Sequence, residues 1–175
     1  MKTIGIDPGA HGALALYDSD TGELVIEDMP AAVVAKSGRK GGQRQLDIVA
    51  LQNTLTAWTI LEGADLALLE QVSARPDDGG ASAFAFGRAY GQVEASLIAV
   101  CVRLERVSPV KWKGVMKCPG KSKGTAKEYG AAIAARADEI FPHYRHLWRG
   151  PRGGIQHDRA EAALIAKYAA TEFSK

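Results

Sequence analysis

Residues 4–18, IGIDPGAHGALALYD, constrain the fold more than any other stretch. Ile4 and Ile6 alternate with Gly5 and Asp7, the pattern of a strand with two different faces. Pro8 cannot donate to a ladder and ends that strand. The chain turns through Gly9 and Gly12, and residues 12–18 leave as a second apolar strand, the antiparallel partner of the first. Asp20-Thr21-Gly22 is a turn signal, and Glu23–Asp28 reads as a third strand. A three-stranded meander therefore opens the chain and delivers one carboxylate, Asp7, to the mouth of a hairpin built to be buried. Two chemistries place an acid there. It holds a metal ion, or it belongs to a Gly-rich turn that cradles a nucleotide phosphate.

Beyond the meander, Met29–Gln43 carries Pro30, basic residues and three glycines and reads as a mobile loop. Leu46, Val49, Leu51, Leu55, Trp58 and Leu61 give a helical period over about Arg44–Glu62. Asp65–Glu70 is a short buried strand ending in a second acid, and Val72–Gly80 is a loop. A long helix over Ala81–Val100 carries Gly87, Gly91 and Ala95 in register, a small-residue stripe suited to close packing on a sheet. Arg103–Val107 is a fifth strand. A helix from about Ala126 is stopped by Pro142, the long loop 142–156 follows, and a last helix covers about Asp158–Thr171. Three strands followed by alternating helix and strand imply an α/β fold, a mixed sheet with helices on both faces.

A chain of 175 residues, 46% hydrophobic, fits a single domain over 1–175. No apolar run is long enough to span a bilayer. The start MKTIGIDPG reads as a strand rather than a signal peptide, which points to the cytoplasm. Cys101 and Cys118 have no metal-ligand spacing and read as idle or buried thiols. The net charge is only +2, but it is unevenly distributed. Lys111, Lys113, Lys117, Lys121, Lys123 and Lys127 fall in one stretch without an acid. Lys36, Arg39, Lys40 and Arg44 form a second basic stretch, and Arg145, Arg149 and Arg152 a third. Such stripes bind phosphates even on a nearly neutral chain; singly, each equally fits a solvated surface.

The acids carry the sharper signal. Asp7 and Glu70 each end an apolar strand, and Asp158 and Glu161 lie three apart on one helix face. If the strands are neighbours, four carboxylates surround one point, and they cannot all stay ionised without a counter-charge. Mg²⁺ suits hard oxygen ligands and retains waters. Two such ions about 3.5–4 Å apart can clamp a scissile phosphate. Each acid also has an ordinary explanation. Asp158 would serve as an N-cap with Glu161 completing a capping-box-like turn, and Glu70 as a plain end-of-strand acid.

IGIDPG, LLEQV, GRAYGQVEA and the terminal HDRAEAALIA resemble the RuvC-like Holliday-junction resolvases of the RNase H-like fold, in the same order along nearly the whole chain. The resemblance implies a five-stranded mixed sheet whose first three strands are antiparallel. It implies Asp7, Glu70, Asp158 and Glu161 as catalytic, metal-binding acids, with two Mg²⁺ ions per site and Mn²⁺ as a substitute. It further implies a homodimer that cuts a four-way DNA junction by paired nicks, leaving 5′-phosphate and 3′-hydroxyl ends. Lys111, Lys113, Lys123 and Lys127 occupy the family's DNA-backbone region, with Lys127 the best positional match.

The sequence departs from the bacterial members in three ways. Glu161 stands where Asp is usual, and His157 immediately precedes Asp158, placed either to assist a metal or water or to serve as a structural histidine. The aromatic wedge expected soon after the central Glu is missing; the nearest, Phe84 and Phe86, read as helix core, leaving Ser73 and Arg75 as DNA contacts. The basic loops look closer to phage-type members, which would act in a bacterium or a phage-infected host. A related nuclease on other branched DNA or structured RNA would share fold and metal site. A catalytically silent junction binder would lack the acids, and an actin-like nucleotide-binding protein needs two such domains and a second Asp-x-Gly hairpin.

Overall fold

Alternation along the strands gives one sheet two separate cores. The computed structural model describes residues 1–35, 42–73, 79–119 and 125–174. Strands β1 (Lys2–Asp7), β2 (Ala13–Asp18) and β3 (Leu24–Asp28) form the expected antiparallel meander. A two-stranded sheet, β4 (Ala31–Ala35) and β5 (Gly42–Leu46), follows. Then come α1 (Ile48–Thr56), a π-type turn at Ala57–Leu61, β6 (Leu66–Glu70), α2 (Gly80–Ala99), β7 (Arg103–Val107), α3 (Pro109–Val115), α4 (Ala126–Ile140), a 3₁₀ segment at Pro142–Leu147 and α5 (His157–Phe173). The main sheet has the order β3-β2-β1-β6-β7, with β6 parallel to both β1 and β7. This is the mixed five-stranded sheet with an antiparallel first half that the sequence implied.

Ile4, Ile6, Leu14, Leu16, Ala67 and Leu69 project to one face and pack with Leu51 and Leu55 of α1 and Val93 and Leu97 of α2. Ala13, Ala15, Tyr17, Leu66 and Leu68 project to the other and meet α5, with α3 and α4 completing that core. The α5 side is unusually tight. A Cβ placed on Gly5 would lie 2.2 Å from the Ala166 backbone nitrogen and 2.3 Å from the Ala162 oxygen. Thr3 Oγ1 donates to the Ala166 carbonyl at 2.8 Å beside that contact. Glycine on the strand and alanines on the helix thus let α5 lie directly on β1.

Several expectations require correction. Part of the loop expected over 29–43 is strand: Val33 pairs with Arg44 and Val34 with Gln43, the Asp47 amide donates to the Pro30 carbonyl at 2.9 Å, and residues 36–41 lie outside the described ones. Arg44 to Leu46 are strand, so α1 begins later, at Ile48, where Asp47 caps it by accepting from the Ala50 amide at 3.0 Å. Helix α3 lies in the stretch read only for its charge; Ser108 caps it and Pro109 occupies its first turn, a start signal obscured by the lysines. The small-residue stripe of α2 does not face the sheet. Gly87, Gly91 and Ala95 are exposed, and Ala89, Val93, Ser96 and Leu97 make the buried face. Phe84 is likewise 74% exposed rather than core. Cys101 is exposed, whereas Cys118 is half-buried and burial pushes its thiol up to about 11; both are free.

Gly5→Ala tests the contact between α5 and β1. The clashing atoms are backbone and cannot rotate away, so a loss of about 3 kcal/mol is expected. Urea unfolding of the variant beside the parent measures it.

Candidate active site

Strand parity and one helix seat bring the acids together. Parallel pairing of β1 with β6 sets Gly5 beside Leu68 and Ile6 beside Leu69. Gly5 and Leu68 face α5, so Asp7 and Glu70, two residues on, face it as well. The seat at Gly5 then fixes where α5 begins, and Arg159 locks that end by gripping Asp28 of β3 through two hydrogen bonds of 2.6 and 2.7 Å. Carboxylate oxygens of Asp7, Asp158 and Glu161 consequently lie within 4.8 Å of one another. Asp7 and Glu161 are buried, at 8% and 7% exposure, and Asp158 is half-buried. Asp158 does not cap α5: the helix starts at His157, Gln156 precedes it, and no side chain caps it. The capping-box explanation for Asp158 and Glu161 therefore falls; the capping box of the described chain is Thr125 with Glu128, on α4.

Glu70 stands differently. It is buried at 5% exposure but is outside the group of three. Trp112 Nε1 of α3 donates to its Oε1 at 2.8 Å, and Lys113 Nζ lies 3.7 Å from the same oxygen. Lys113 approaches Glu161 Oε1 more closely, at 2.8 Å, and the Tyr129 hydroxyl of α4 donates to that oxygen at 2.5 Å. The structure thus gathers three acids in one group, with the fourth held at its edge by α3, an element the sequence reading lacked.

The electrostatics follow from this crowding. Burial pushes the Asp7 carboxyl well above the usual range, and Glu161, Asp158 and Glu70 push it further, against the pull of Lys113. Glu70 is also raised by burial, against Lys113 and the Trp112 hydrogen bond. Burial would lower the Lys113 pKa, but the charge and hydrogen bond of Glu161 outweigh it and hold the ammonium protonated above its ordinary range. Tyr129 is raised by burial and by Glu161. Three crowded oxygen donors, two of them buried, match the preference of Mg²⁺ or Mn²⁺ for hard ligands.

The remaining candidates scatter. His157 Nε2 lies 3.4 Å from Asp158 Oδ1, and its ring meets Tyr129 edge-on and packs where Gly130 leaves room. Lys111, Lys127 and Ser73 are exposed. Lys113 faces the acids instead of solvent. Lys123, Lys121, Arg75, Lys36, Arg39 and Lys40 lie outside the described residues. In the third basic stretch, Arg149 pairs with Asp138, which also accepts from Trp148 Nε1 at 2.9 Å, so that part is a structural knot. Sequence reasoning missed Trp112 and Tyr129. The only signal was an aromatic residue beside a lysine in WK and close behind one in KEY.

No protein-family model matches the sequence, and no curated relative matches it. Solved structures do. RuvC of Thermus thermophilus superposes with a TM-score of 0.54 at 19% identity, over 98% of this chain and 96% of that one. The fold is that of RuvC. A T. thermophilus RuvC structure in complex with a Holliday junction substrate gives a TM-score of 0.53 at 16% identity, over 98% and 96% of the two chains. The fowlpox virus Holliday junction resolvase gives 0.50 at 11% identity, over 99% of each chain. The shared fold accounts for the sheet order β3-β2-β1-β6-β7. No helix among the described residues is long and apolar enough to cross a membrane.

The raised Asp7 pKa has a consequence for metal-free stability. In acid, both folded and unfolded chains hold the proton. As pH rises the unfolded carboxyl ionises first, so the folded state loses stability on the way to neutrality. Asp7→Asn removes that loss. In chelator, thermal unfolding should show the variant more stable than the parent near neutral pH and the difference fading in acid.

Proposed function

We propose that the chain is a divalent-metal-dependent endonuclease that resolves four-way DNA junctions as a homodimer. The observation that carries the reading is the convergence of Asp7, Asp158 and Glu161 within 4.8 Å at one end of a RuvC-fold sheet. Fold alone does not define chemistry; here the donor set supplies the second argument. Asp7, Asp158 and Glu161 would hold Mg²⁺ or Mn²⁺, with Glu70 on the same sheet face available to a second ion. Bound ions would supply positive charge for the attacking water and the leaving 3′ oxygen of a phosphodiester. The protein's own residues do the rest. Burial of Asp7 and Glu161 lowers the competition from bulk water for the donors, and Trp112 and Tyr129 satisfy Glu70 and Glu161 by hydrogen bonds while no ion is bound. Exposed Lys111 and Lys127 are suited to hold the DNA backbone through salt-dependent contacts.

The dimer in this reading draws on the exposed side of α2. Phe84, Gly87, Gly91, Ala95 and Ile98 recur every three or four residues along one exposed helix face, with Phe84 at 74% and Ile98 at 60% exposure. Small residues at its centre permit two copies of α2 to approach closely. A two-fold pair of sites matches the pseudo-two-fold symmetry of a four-way junction.

The deciding experiment is incubation of a labelled mobile junction, a linear duplex, a flap and a structured RNA with Mg²⁺. Paired symmetric nicks in the junction, lost in Asp7→Asn with junction binding kept, are the expected result. Preferential cutting of RNA or flap would move the substrate class, and no cutting of any with Mg²⁺ or Mn²⁺ would sink the nuclease reading. For the dimer, Gly91→Arg should give a monomer by light scattering coupled to size exclusion. A parent already monomeric at high concentration contradicts that part.

A further inference from the structure

Lys113 is placed unlike the other lysines of its stretch. Lys111, two residues earlier on α3, is exposed, while the Lys113 side chain is 18% exposed and turned into the acids. Its ammonium lies 2.8 Å from Glu161 Oε1 and 3.7 Å from Glu70 Oε1. The rings of Trp112 and Tyr129 stand 4.9 and 5.4 Å from it and add their quadrupoles to its hold. Those same two side chains donate to Glu70 and Glu161. One cation, two acids and two aromatic donors thus form a closed cluster beside Asp7 and Asp158. A side chain serving as a DNA contact would need its charge at the surface, where Lys111 and Lys127 have theirs.

We propose that Lys113 is a tethered counter-cation that stands in for part of the divalent charge, and that a metal ion must take Glu161 from it. The inference rests on the metal-centre reading above. Coulomb's law gives its direction. With Lys113 present, the crowded carboxylates are partly neutralised and the metal-free chain tolerates their proximity. A dication entering among Asp7, Asp158 and Glu161 meets a like charge 2.8 Å from one of its donors, so loading costs an ion pair. Lys113 therefore raises metal-free stability and lowers metal affinity, and the ammonium freed on loading lies beside the site where a substrate phosphate would arrive. A lysine that merely braced the site would act oppositely: its removal would weaken metal binding.

The sign of the effect is the test. Mn²⁺ binding to the full chain is titrated by calorimetry for the parent, Lys113→Met and Tyr129→Phe, and thermal unfolding is followed in chelator and in Mn²⁺. Lys113→Met should bind Mn²⁺ about tenfold or more tightly. It should melt lower than the parent in chelator and gain more from Mn²⁺. Tyr129→Phe keeps the ring beneath the ammonium and removes the hydroxyl that holds both Glu161 and Lys113, so it should shift affinity the same way by less, and it serves if the first variant fails to fold. Equal or weaker Mn²⁺ binding by these variants, with the parent binding normally, overturns the role of Lys113 alone. Failure of parent and variants alike to bind Mn²⁺ overturns the metal centre and this inference with it.

Discussion

The site depends on the contact between Gly5 and the backbone of α5. A helix normally rests on a sheet through side chains about a layer thick; here the strand offers no Cβ and the helix offers alanines, so backbone meets backbone. That distance sets the depth of α5 and therefore the height of its first turn above the end of β1. Arg159 on Asp28 fixes the remaining freedom, the tilt of that end. Asp158 and Glu161 flank Arg159 in the chain, so the residue that anchors the helix lies between the two it positions. A methyl group at Gly5 would move both acids away from Asp7 without touching any of them.

What the contact assembles is unfavourable by itself. Buried Asp7 faces three other acids, and its raised pKa records the cost. Such strain is common where function needs charge concentrated. Relief comes from α3 and α4, which lie on the same side of the sheet and bring Trp112, Lys113 and Tyr129 against Glu70 and Glu161. Every buried polar side-chain atom among the described residues has a partner. The cluster is therefore satisfied in hydrogen bonds yet excessive in negative charge, the condition under which a hard cation is bound.

The two faces of the sheet divide the labour. The α5 face carries the acids and their supports. On the opposite face, α2 buries Val93 and Leu97 and turns Phe84, Gly87, Gly91 and Ala95 outward. Periodicity on α2 was visible in the sequence, but two stripes fitted it. Small residues suggested the packed side, because close approach is their usual use. The larger Val93 and Leu97, half a turn away, won because they remove more apolar area from water.

The sequence by itself determined the five main strands and the long helices, and it singled out four acids at two strand ends and on one helix face, because strand alternation, turn residues and acid spacing are local. It also showed Asp158 and Glu161 sharing a face, since three residues is nearly one helical turn. It could not show α3, whose Ser-Pro start was obscured by lysines, nor the antiparallel pair β4–β5, whose short strands resemble a loop in composition. Only the tertiary structure decided which acids meet. Register between β1 and β6, the seat of α5 at Gly5, and the arrival of Trp112 and Lys113 on Glu70 are contacts between residues far apart in the chain. Lys113 shows the difference most plainly: in sequence it is one of a row of basic residues, and its distinct surroundings exist only after α3, α4 and α5 have packed on one face of the sheet.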